Sequence, residues 1–134
     1  MSSCTVKREA LERLSGLLEE LSSSVDLVLV EGPRDVQALR SLGYSGEVAT
    51  CSRVHVSDVE LAEIVAYANK NVLVLTDFDH EGDALNNRLS ELIEHMGTVV
   101  ERGLRAEVGR IMAVLNVRVV EALDNVKDSV CDSV

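Results

Sequence analysis

The residues best placed to do chemistry are the acids of Thr76-Asp77-Phe78-Asp79-His80-Glu81-Gly82, directly after the apolar run Val72–Leu75. Carboxylates this close repel one another, so a chain tolerates them cheaply only where they face water or share a cation. A second group lies upstream, where Val25–Val30 runs into Glu31-Gly32-Pro33-Arg34-Asp35. Alternation along an extended segment sends Asp77 and Asp79 to one side and turns Phe78 away. An all-oxygen pair without Cys or His support suits a hard cation, Mg2+ first and Mn2+ second. Mg2+ keeps several waters, which leaves room for a substrate phosphate. Gly32 and Gly82 remove side chains where a phosphate backbone would approach. The competing reading is that these acids cap helices, Asp77 or Asp79 the one starting near Glu81, and Asp35 a first turn. Either cluster alone is more often a cap. Together, at the ends of two expected parallel strands, they favour a site.

Alternating elements must position them. Leu11, Leu14, Leu17, Leu18 and Leu21 recur at helical spacing and predict an N-terminal amphipathic helix within residues 1–24, a packing element before a dimer contact. Residues 25–30 read as a buried parallel strand, rich in Val and Leu. Pro33 suits the first turn of a helix with Val36, Leu39 and Leu42 inward, and Gly43 its C-terminal end. Residues 47–50 suit a short strand. Ser57 or Asp58 caps a helix running to about Asn69. Residues 72–76 form the next strand, a helix from Glu81 or Gly82 to Met96 follows, and 98–100 suit a fourth strand. This βαβ pattern gives an α/β fold with a mostly parallel four-stranded sheet flanked by helices. The core spans 25–101. Residues 102–126 form an Arg-bearing extension with one more helix, in which 117–123 suit either helix or edge strand. Residues 127–134 read as a disordered tail.

Bulk properties set limits. The chain has 134 residues, enough for one domain, and is 46% hydrophobic but 2% aromatic, so Val, Leu, Ile and Ala must build the core. A net charge of -10 does not attract nucleic acid non-specifically, so such a partner needs a local basic patch or bridging cations. Cys4, Cys51 and Cys131 show neither a disulfide framework nor zinc spacing, which fits reduced thiols in the cytoplasm. No apolar run approaches the roughly 20 residues of a membrane span.

Glu31-Gly32-x-x-Asp35, followed by Asp77-x-Asp79-x-Glu81-Gly82, resembles the Toprim domain, with its Rossmann-like sheet, over about residues 25 to 100. That domain is shared by topoisomerases, bacterial primases, recombination-repair proteins and ribosomal-RNA-maturing ribonucleases. The rest is similar to small stand-alone archaeal Toprim proteins, primase-like or ribonuclease-like, in which an Arg-bearing segment follows the core. The resemblance implies Glu31 as general acid or base and metal contact, and Asp77 and Asp79 as the Mg2+ ligands. Glu81 matches an acidic position that is not present in every branch. No tyrosine-nucleophile or zinc module is attached, which argues against strand passage or a complete primase.

The implied activity is Mg-dependent action on nucleic-acid phosphodiester bonds, most simply as a nuclease, with RNA favoured over DNA. Arg34, Arg53, Arg88, Arg102, Arg105 and Arg110 are candidate phosphate contacts, each weighed against a solvated charge or an ion pair. His80 reads as a bystander. One alternative is a non-catalytic metal- and nucleic-acid-binding module of a larger assembly. Another is a phosphatase or phosphotransfer protein, since Asp-x-Asp after a strand also occurs there, though normally on the first strand. No membrane partner is implied. The oligomeric state stays open between monomer and homodimer.

Overall fold

A computed structural model describes residues 3–52 and 55–129. Four strands form one sheet in the order β2-β1-β3-β4, and every pair is parallel. They are β1 (Leu27–Val30), β2 (Val48–Thr50), β3 (Asn71–Val74) and β4 (Val99–Val100). The helices are α1 (Ser3–Ser24), α2 (Pro33–Ser41), α3 (Asp58–Ala68), α4 (His80–His95), α5 (Arg102–Val114) and α6 (Leu123–Ser129), with a 3-10 turn at Val120–Ala122. This is the expected α/β architecture.

The central strands read Leu-Val-Leu-Val and Asn-Val-Leu-Val, near-continuous apolar runs, because helices cover both faces. Alternation divides them. Val28, Val30, Leu73 and Leu75 join a core with α1, α2, α5 and α6. Leu27, Leu29, Val72 and Val74 face α3 and α4. The leucines of α1 do belong to a packing face, since Leu14, Leu18 and Leu21 are buried with Val108, Ile111 and Met112 of α5. Gly43 and Gly97, with φ of 107° and 93°, follow the last residues of α2 and α4 in the left-handed conformation that ends a helix.

Several expectations are corrected. α4 begins at His80, one or two residues before the expected start at Glu81 or Gly82, because Asp79 caps it. Residues 117–123, open between helix and edge strand, take the helical option at their end. They cross the carboxyl ends of the sheet and enter the 3-10 turn and α6. Lys127–Ser129, expected in the tail, close α6, and the residues beyond lie outside those described. Cys4 is disulfide-bonded, against the expectation of reduced thiols, since sequence spacing does not reveal which thiols a fold brings together. Among the described residues no helix is long and apolar enough to cross a membrane.

The topology creates a crevice. β1 and β3 are neighbours, but α2 leaves β1 toward one face while α4 leaves β3 toward the other. Their carboxyl ends therefore flank a topological switch point, the usual ligand position in open parallel sheets. Leu18 is fully buried in the α1–α5 layer. Leu18→Ala should lower the unfolding free energy by about 2–5 kcal/mol in urea titration. A loss near zero would mean that α1 is not part of the cooperative core.

Candidate metal centre

Glu31 and Asp77 meet at this switch point. Glu31 directly follows β1, and Asp77 follows the extended residues Leu75 and Thr76 beyond β3. The Asp77 N–H donates to Glu31 Oε2 at 2.7 Å, linking the ends of the two strands. Asp77 Oδ1 accepts the Val120 N–H at 2.8 Å. The Phe78 N–H donates to the Arg118 carbonyl at 2.6 Å. The segment before the 3-10 turn is thus held by the acidic motif itself.

Glu31 and Asp77 line an open cavity of about 530 Å3 together with Asp35 and Glu121. Asp58 lines it too but is paired with Arg88, Nε to Oδ2 at 2.5 Å. No basic side chain is among the described lining residues. The Glu31 carboxyl is raised above its ordinary 4.5 by burial, and further by the charges of Asp77 and Asp35, against the Asp77 N–H that lowers it. Asp35 is likewise raised, first by burial, then by Asp77 and Glu121, against the N–H groups of Gly32 and Glu121. The described lining of the cavity is therefore acidic.

The other sequence candidates are distributed differently. Asp35 supports the turn, accepting the Gly32 N–H at 2.9 Å. Gly32 is extended, at φ -151°, and a side chain there would meet only open space, so neither backbone nor packing demands glycine. Gly82 is different. A Cβ there would lie 2.0 Å from the Asp77 carbonyl oxygen, so this glycine serves the contact between α4 and the motif rather than a phosphate. Asp79 Oδ1 accepts the Gly82 N–H at 2.8 Å, and Asp79 is not among the residues lining the cavity. Glu81 is exposed in the first turn of α4. Arg34 is exposed on α2 and borders a neighbouring depression with Glu121 and Asp124. Arg53 lies outside the described residues.

Arg105 departs most from its expected phosphate contact. It is 7% exposed and occupied inside the protein. Its Nη1 donates to the carbonyls of Val74 and Thr76 at 3.2 and 2.9 Å, and its Nη2 to the Asp77 carbonyl at 3.1 Å and Asp83 Oδ1 at 3.0 Å. Its guanidinium lies 4.2 Å from the Phe78 ring centroid. Burial lowers its pKa, opposed by Asp83 and then by Glu31 and Asp77. The segment 118–121 was missed by sequence reasoning. Its N–H groups complete motif carboxylates, a role that any residue type except proline supplies.

The chain belongs to the Toprim domain family, whose model matches residues 26–111. Membership ties it to the metal-dependent, nucleic-acid-related work of that family, whose domains generally bind Mg2+ through acidic residues. It is also similar to small archaeal proteins designated UPF0292. One, from Thermococcus onnurineus, is 35% identical over 77% of this chain and 75% of its own. Another, from Methanosarcina barkeri, is 34% identical over 92% and 86%. A solved structure of a putative protein from Aquifex aeolicus superposes with a TM-score of 0.65 at 24% identity, covering 81% of this chain and 95% of that one, and it shares the fold.

Two outcomes test this description. Arg105→Met should cost about 3 kcal/mol or more in denaturant unfolding, since it leaves buried carbonyls without donors. A cost under about 1 kcal/mol would mean that water or another donor takes them over. Glu31→Gln retains an acceptor for the Asp77 N–H but removes a charge. Because the folded pKa is raised, the ionised glutamate opposes folding, and this penalty grows as pH rises through the raised value. Measured in EDTA, the variant should therefore gain stability over wild type near neutral pH. The gain should vanish as pH falls below the ordinary carboxylate range. A difference independent of pH would contradict this assignment.

Proposed function

We propose that the chain is a divalent-cation-dependent nuclease acting on phosphodiester bonds, with RNA the favoured substrate over DNA. The observation that carries it is the convergence of Glu31 and Asp77 on one solvent-open cavity at the switch point of the sheet. The donor set fits a hard cation. It is all oxygen, and Glu31 is raised first by burial and then by the neighbouring carboxylates, whose share a cation would relieve. Among the described residues no group of three acids, His or Cys is arranged as a ready ion cage. The reading therefore rests on two carboxylates, Glu31 and Asp77, a number with which Mg2+ can bind while keeping several waters.

Glu31 and Asp77 would hold the cation. When bound, Mg2+ or Mn2+ supplies charge stabilisation at phosphoryl oxygens. The rest falls to the chain. Glu31, held by the Asp77 N–H, takes a proton from the attacking water as the new P–O bond forms and returns it to the leaving oxygen as the old P–O bond breaks. Asp77, fixed by the Val120 N–H on one oxygen, presents the other. Arg105 holds the Asp77 carbonyl, so its side chain starts from a fixed backbone. The open front of Gly32 lets a phosphate approach the peptide.

Purified protein with Mn2+ or Mg2+ should cleave structured RNA, and Glu31→Gln or Asp77→Asn should slow cleavage by about a hundredfold or more. Cleavage that survives both substitutions would remove the site from the reaction. A second reading, a non-catalytic metal- and nucleic-acid-binding module, has one observation in its favour. Asp77 and Asp79 each already commit an oxygen to a peptide N–H. Binding of Mn2+ that is lost in Asp77→Ala, without cleavage of RNA or single-stranded DNA, would select it.

A further inference from the structure

The motif separates two surfaces of opposite charge. Asp77 faces the carboxylate cavity. The next residue, Phe78, lines a second groove of about 760 Å3, formed with α5 and the loop behind it. The crossing segment is divided between the two. Val119 and Glu121 line the cavity, and Val117 and Arg118 line the groove. The two depressions thus lie on either side of one backbone rung, the Phe78 N–H to Arg118 carbonyl bond.

The groove carries Arg110 and Arg118 and no acid among its described lining residues. In a chain of net charge -10 that is a marked local inversion. The ion pairs among the described residues engage Arg13, Arg88, Arg102 and Arg105, and neither groove arginine takes part. Both are exposed. Between them the floor is apolar, built from Phe78, Ala106, Ala113 and Val117. The Phe78 ring is fixed from two directions. Arg105 lies over it, and Gly109 approaches so closely that a Cβ would come within 2.9 Å of Cε1.

We propose that this groove binds a single-stranded nucleic acid, with Arg110 and Arg118 on its phosphates and the apolar floor against base faces. The inference rests on the reading of the carboxylate site as one that works on nucleic acid, and it adds the path of the strand. Acids alone repel a polyanion, so a strand that reaches the cavity needs attraction beside it, and the groove supplies that across one backbone rung. Phosphates reward paired arginines, while apolar floors reward exposed base faces, which a duplex hides. Hence the groove favours an unpaired strand over a helix.

The test is fluorescence anisotropy in EDTA, which prevents cleavage, with end-labelled single-stranded RNA, single-stranded DNA and the matching duplexes. Arg110→Ala/Arg118→Ala is compared with wild type and with Arg8→Ala/Lys70→Ala, which removes equal charge elsewhere. Thermal melts confirm that all three proteins are folded. The groove variant should bind single strands about tenfold or more weakly, with the slope of log affinity against log salt reduced by roughly 1.4, two phosphate contacts' worth. The control variant should lose less than about twofold. Equal losses in the two variants, or a wild-type preference for duplex, overturn the groove. If wild type cleaves with Mn2+ yet binds independently of these arginines, the groove fails while the reading of the carboxylate site stands. If wild type neither binds nor cleaves any oligonucleotide, both fail.

Discussion

The arrangement of the site depends on one buried guanidinium. β3 offers the carbonyls of Lys70, Val72, Val74 and Thr76 along one edge. The backbone N–H groups of Val99 and Glu101 take the first two. The chain then leaves the sheet, since α5 begins at Arg102. Arg105 reaches back from α5 to take the next two, and Nη2 extends the series to Asp77. A side chain thus continues a ladder that the short β4 abandons. Unpaired buried carbonyls would be costly, and a lysine could not span them with the same planar fork. The motif backbone can therefore run past the end of its neighbouring strand while remaining fixed.

That arrangement concentrates charge. The arginine stands behind the motif and attracts Glu31 and Asp77 through the backbone it braces. The carboxylates themselves face an open cavity with no basic side chain among its described lining residues. The crossing segment moderates their repulsion with peptide N–H groups rather than cations, at Asp77 from Val120 and at Asp35 from Glu121. Dipoles orient the acids without neutralising them. Folding tolerates this at a cost visible in the raised carboxyls of Glu31 and Asp35.

The layered fold was legible because its signals are local and periodic. Apolar runs marked β1 and β3, leucine spacing marked α1, and Gly43 and Gly97 marked the ends of α2 and α4. The meeting of Glu31 with Asp77 was also legible, since parallel strands present their carboxyl ends together. Other features depend on long-range geometry. An arginine that completes a ladder and one that meets phosphate have the same sequence appearance, which is why Arg105 resembled Arg110. Val120 and Glu121 act through backbone N–H groups and Arg118 through its carbonyl, none of which carries a residue signature. Asp79 could be read as ligand or cap, and only the start of α4 at His80 shows the cap in use.

The density of the acidic motif follows from these constraints. Asp77 supplies the cavity-facing carboxylate, and Phe78 turns back beneath Arg105. Asp79 starts α4, and with the helix begun so early its first turn must pass directly over the Asp77 carbonyl, where only glycine fits at position 82. Asp83 then pairs with Arg105 and closes the circuit from motif to helix to guanidinium. Several acids in this short stretch thus have different physical duties. Their crowding results from how little chain lies between a strand end and a helix start, and it does not require every carboxylate to hold the metal.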